Sequence, residues 1–144
     1  MKKYLRIFTM LAATCMLAGI FVYVFVINKS HPDYAAARAD YALNAGEIFE
    51  AYRSDKAAAS SLYDGKIVEL TGQLTAIESA DNEAYLCFVL DEGLFGPEGV
   101  RLHLLKSENN KVSTLQQGEW VRIKGYVTGY NETDVLLEHG SLVQ

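Results

Sequence analysis

The chain has 144 residues, half of them apolar, a formal charge of −5 and two cysteines. That is room for one domain and an attachment, and too little sulfur for a disulfide-held scaffold. All 18 acidic residues follow Ser30 while four of the 13 basic ones precede it, so the remainder carries −9. Such acidity disfavours nucleic acid, whose phosphates are met by clustered Lys and Arg.

Residues 1–6, with Lys2, Lys3 and Arg6, read as a short cytoplasmic N-terminus. From Ile7 to Ile27 no residue is charged, and Leu, Ile, Val and Phe dominate. At about 1.5 Å per residue this run matches the roughly 30 Å hydrocarbon layer. Residues 7–27 are therefore expected to be a transmembrane anchor, with the lipid bilayer as partner. Only Lys29 follows closely, so the positive-inside bias places everything beyond the anchor outside the cytoplasm. A cleaved signal peptide and lipidation at Cys15 are competing readings. The apolar run continues past Cys15, however, and Asn28 to Pro32 offers no small-x-small site.

Residues 28–63 read as a helical segment. Pro32-Asp33 is a start signal and the Ala-rich stretch Tyr34 to Leu43 favours helix. Asn44 and Glu47 form a capping-box pattern that opens a second helix, with Ile48, Phe49 and Tyr52 on one face. Ser54 or Asp55 restarts it towards Tyr63.

Residues 64–144 read as a barrel. Asp64-Gly65 is a turn, and period-two alternation starts at Lys66. Five strands are expected: Lys66 to Glu78, Tyr85 to Leu90, Val100 to Leu105, Glu119 to Tyr130 and Val135 to Val143. Asp91 to Gly99 is expected to be a loop, and a short helical turn is expected at Val112 to Leu115. Gly72 and Gly125 stand at the centres of two matching alternating stretches, where a glycine marks a bulge or bend. A long first strand, and a connection between the third and fourth, are the arrangement of an OB-fold. The fold class is thus mainly β: a five-stranded OB-fold barrel preceded by helices and a transmembrane helix. Val68, Leu70, Leu74, Val100, Leu102, Leu104, Val121, Ile123, Val127, Val135 and Leu137 point inward.

Ile48-Phe49 with Tyr52, Asp55, the Tyr63-Asp-Gly-Lys66 turn, Gly72, and Gly118-Glu-Trp-Val-Arg-Ile-Lys-Gly125 together resemble the tRNA_anti-like family of bacterial OB-fold domains. The resemblance spans about 45–144. It implies a binding fold that is frequently exported or membrane-attached, with no catalytic residues to carry over; the anchor and its flanking charges give the bacterial inner membrane as the expected location. Asp55 stands where members commonly have Asn; either can cap a helix.

OB barrels bind on the face of strands two and three and the adjoining loops. The residues expected outward there are Tyr85, Arg101 and His103, with Arg122, Lys124, Tyr126 and Tyr130 on a neighbouring strand. These seven are the candidate binding residues. The simpler reading of Arg122, Lys124 and Tyr126 is a solvated strand face with cross-strand pairs. His31, His103, His139 and Cys87 have no metal-ligand spacing, so neither a metal nor a cofactor is expected. No nucleophile motif is present, and no enzyme is expected. The expected function is a membrane-anchored binding module for a protein or cell-envelope component. The alternative is a small-molecule, glycan or divalent-cation binder, the last through the acidic loops.

Overall fold

The computed structural model describes residues 14, 16, 18, 19, 33–94 and 96–143. The chain divides into two compact units, Met1–Pro32 and Asp33–Gln144. In the first, Thr14, Met16, Ala18 and Gly19 are helical. Among the described residues no helix is long and apolar enough to cross a membrane. The expected span 7–27 lies, apart from those four residues, outside the described residues.

The second unit is mainly β. Its strands are β1 (Tyr41–Asn44), β2 (Ile67–Gln73), β3 (Ala76–Ala80), β4 (Glu83–Gly93), β5 (Gly96–Leu104), β6 (Trp120–Tyr130) and β7 (Asp134–Leu142). Its helices are α1 (Ala45–Ser54), α2 (Lys56–Tyr63) and the short α3 (Asn109–Val112), which follows a 3-10 turn at Lys106–Glu108. The strands form one sheet in the order β1-β2-β6-β7-β5-β4-β3.

Among the described residues seven strands are present rather than five, for two reasons. The expected long first strand is broken into β2 and β3 by Leu74 and Thr75. At this break the Leu74 amide donates to the Glu119 carbonyl (2.8 Å), beside β6, while the Thr75 amide donates to the Cys87 carbonyl (2.9 Å) on β4. One chain segment thus supplies β2, next to the end strand β1, and β3 at the other end of the strand order, and α1 touches β2, β4, β5 and β7. The parallel β5–β7 pair, with all other pairs of the five expected strands antiparallel, completes an OB-like topology. The second reason is β1, which was expected to be helical. Tyr41 to Asn44 instead pairs in parallel with Val68 to Thr71. Tertiary pairing outweighs a local propensity worth only tenths of a kcal/mol per residue, as it commonly does.

The helix caps follow from the residues. The Asn44 side chain accepts from the Gly46 amide (2.9 Å), and Glu47 accepts from the Asn44 amide (2.7 Å). Asp55 accepts from the Ala58 amide (3.0 Å) and starts α2. Ile48, Phe49 and Tyr52 are buried on the inner face of α1. Burial of each such side chain contributes about 1.5–3 kcal/mol. They join Leu70, Leu74, Leu86, Phe88, Leu102, Ile123 and Val127 in one core. The expected loop Asp91 to Gly99 is mostly strand: β4 and β5 run on until Gly93 pairs with Gly96. The helical turn lies earlier than expected, before rather than after Val112. At Gly125 the register with β7 shifts, so the expected bulge is present there.

Candidate functional site

The outer faces of four neighbouring strands carry one transverse row of side chains. Tyr85 on β4 pairs with His103 on β5. The register of β5 with β7 shifts between Leu102 and Leu104, which sets His103 against the bulge at Glu138-His139. Glu138 in turn pairs with Tyr126 on β6. Alternation along each strand aims these side chains outward because Leu86, Leu102, Leu104, Leu137 and Val127 aim into the core.

At one end of the row the Tyr85 and His103 rings stack at 4.7 Å with 18° between planes. His103 Nε2 lies 3.4 Å from Glu83 Oε2, which also accepts from the Tyr85 hydroxyl (3.3 Å). Desolvation, then the Glu83 charge, push the Tyr85 hydroxyl above the ordinary tyrosine range. At the other end Tyr126 meets Tyr34 at 5.3 Å, and Tyr34 stacks on His139 at 4.4 Å, 2° from parallel. His139 has φ +55°, a left-handed backbone uncommon for a residue with a Cβ.

Arg101 lies on β5 two residues before His103 and opposite Cys87. Its guanidinium donates to both Glu78 carboxylate oxygens (3.0 and 3.4 Å) and lies 3.9 Å from Asp134. Cys87 is buried, and desolvation pushes its thiol up to about 11. Arg122 is exposed and lies 3.6 Å from Glu69. Lys124 donates to the carbonyls of Ala35 and, at 2.8 Å, Ala37. Tyr130 lies away from the row: it packs on Tyr52 at 5.6 Å and donates to the Glu132 carbonyl (3.0 Å).

The structure therefore gathers Tyr85, His103 and Tyr126, places Arg101 beside them, and leaves Arg122 and Tyr130 apart. Sequence reading missed Tyr34, His139 and Glu138, because a period-two pattern does not reveal the bulge that lines them up. Among the described residues no three of His, Cys, Asp or Glu stand close enough to hold a metal ion.

The comparisons with known proteins define a class. The tRNA_anti-like family model matches residues 1–140, and the chain belongs to that family. No curated protein matches it. A solved structure similar in fold is that of a proposed nucleic acid-binding lipoprotein from Klebsiella pneumoniae. The two share 20% identity over 81% of this chain and 100% of that one, with a TM-score of 0.58. Aspartyl-tRNA synthetase from Entamoeba histolytica (14% identity, TM-score 0.44) matches 81% of this chain with 23% of its own. Asparaginyl-tRNA synthetase from Pyrococcus horikoshii (18% identity, TM-score 0.39) matches 58% of this chain with 21% of its own. The Klebsiella protein corrects one expectation: a protein of this fold is itself described as nucleic acid-binding, against the expectation that nucleic acid is an unlikely partner. The physical reason is that charge summed over a whole domain does not describe one face of it.

Proposed function

We propose that the domain is a non-catalytic binding module whose working face is the Tyr85–His103–Tyr126 row, and that single-stranded nucleic acid is its ligand class. The observation that carries this is the stacked Tyr85–His103 pair beside Arg101. Stacked rings offer a face to any base, and each base–aromatic contact is worth about 1–3 kcal/mol. The similarity to the Klebsiella protein supports the same ligand.

The test is fluorescence anisotropy of a labelled oligothymidylate titrated with the full chain at two salt concentrations. Saturable binding is expected, weaker at higher salt, with Tyr85→Ala or His103→Ala lowering affinity about 5- to 150-fold, the equivalent of one lost stacking contact. No saturable binding below about 100 µM, the weak end of non-specific nucleic-acid affinity, overturns the ligand.

A second reading, a protein or cell-envelope ligand, has its own observation. Arg101 is matched by Glu78 and Arg122 by Glu69, which leaves an aromatic, polar face of little net charge. A photo-crosslinker at position 85 in intact cells separates the two readings: protein adducts favour the second, nucleic-acid adducts the first.

The apolar run 7–27 supports attachment to the bacterial inner membrane with the domain outside the cytoplasm. A reporter fused after Gln144 should be active only outside; activity in the cytoplasm alone defeats this topology. The mass of the mature chain separates an intact anchor from lipidation at Cys15.

A further inference from the structure

One end of the row is already occupied by the chain itself. Residues 33–37 form a single turn: the Ala37 amide donates to the Asp33 carbonyl (2.9 Å), and the Ala36 amide to Asp33 Oδ1 (3.0 Å). The turn is seated on the sheet by two contacts of different chemistry. The Tyr34 ring lies flat on His139 and tilted against Tyr126. The Lys124 ammonium binds the Ala35 and Ala37 carbonyls, groups with no partner further along so short a turn. Just beyond, the Asp40 amide donates to the Ile67 carbonyl (2.7 Å), and the Ile67 amide donates to Asp40 Oδ2 (2.9 Å). The turn is therefore tethered on its C-terminal side, with Arg38 and Ala39 between seat and tether.

We infer that residues 33–37 are a strap: Tyr34 holds the place of a ligand ring at the Tyr126–His139 end of the row, and ligand opens it. The inference rests on the binding face proposed above. The near-parallel stack shows that this end of the row accepts a flat ring. The left-handed His139 backbone is a conformation that costs free energy, of the kind that clusters at ligand clamps and switch regions. Lys124 and Tyr126, two of the sequence-derived candidates, become fully accessible only when the strap lifts.

Arg38 supplies the assay, since it is exposed and follows the strap directly. Tryptic cleavage after Arg38 in the full chain, identified by mass, requires local opening, which tracks the stability of that segment rather than of the whole fold. Tyr34→Ala and Lys124→Ala should be cut roughly five- to tenfold faster than the parent, with melting temperatures unchanged, while Tyr85→Ala, at the far end of the row, is cut at the parental rate. Labelled oligothymidylate should accelerate cutting of the parent and bind Tyr34→Ala several-fold more tightly. Equal cutting of the parent and Tyr34→Ala overturns the strap. An oligonucleotide that binds without changing either rate overturns its opening by ligand. If no variant binds oligonucleotide, the ligand reading falls and takes ligand-driven opening with it, and closure is decided by the cutting rates alone.

Discussion

Gly99 shows how little room a single position can leave. A Cβ there would stand 1.9 Å from the Phe88 carbonyl oxygen, which belongs to the backbone of the neighbouring strand and has nowhere to go. Gly99→Ala should cost about 1–3 kcal/mol or more and lower the melting temperature by several degrees, measured by circular dichroism. Cys87 leads to a chemical prediction. With its thiol raised to about 11 and its side chain buried, it should react with iodoacetamide far more slowly than free cysteine at pH 8, and at the free rate only in denaturant. Trp120 is the only tryptophan and is 63% exposed. Its emission should therefore shift little on unfolding, whereas far-UV circular dichroism changes fully.

At the scale of the elements, the start of α1 is the most direct case of residues dictating structure. Asn44 is the last residue of β1 and the cap of α1, with φ −82° and ψ 148°, extended as both roles require. Asn44→Ala should destabilise the domain by about 1 kcal/mol, read as a shift in the denaturation midpoint. The capping box was legible in the sequence because both of its bonds are local. So were β2, β4, β5, β6 and β7, whose alternation records a buried and a wet face. What was not legible depends on partners distant in the chain. Tyr41 to Leu43 carry helix-compatible residues and become strand only because Val68 to Leu70 lie alongside. The row is half legible for the same reason. Tyr85, His103 and Tyr126 announce themselves as outward positions, while Tyr34, Glu138 and His139 join through a bulge and a turn docked from afar. The ion pair of Arg53 with Asp91 ties α1 to β4, and its hydrogen bond and charge hold the Asp91 carboxyl below the usual range. A carboxylate depressed in the folded state stabilises above its unfolded pKa and loses that contribution as pH falls through the folded value. The midpoint difference between parent and Arg53→Gln should accordingly shrink on acidification, and also in high salt, because the pair is solvent-exposed.

For the molecule as a whole, two of the pairings that join distant segments, β1 with β2 and β5 with β7, are parallel, while β2 with β6 is antiparallel. Parallel strands need long connections, so these contacts form only after costly loop closure and folding is expected to be slow for a domain of this size. The break at Leu74 and Thr75 has a consequence for how the chain could be rewired. Because the residues on its two sides pair with β6 and with β4, this junction is the clasp of the sheet rather than a connection between neighbours. A circular permutant with new ends at Asn131–Thr133, a tight turn between adjacent strands, keeps every pair of neighbours and should fold. One opened between Leu74 and Thr75 keeps every strand and every side chain, yet cuts the one segment that carries the chain from β2, beside β6, to β3, beside β4.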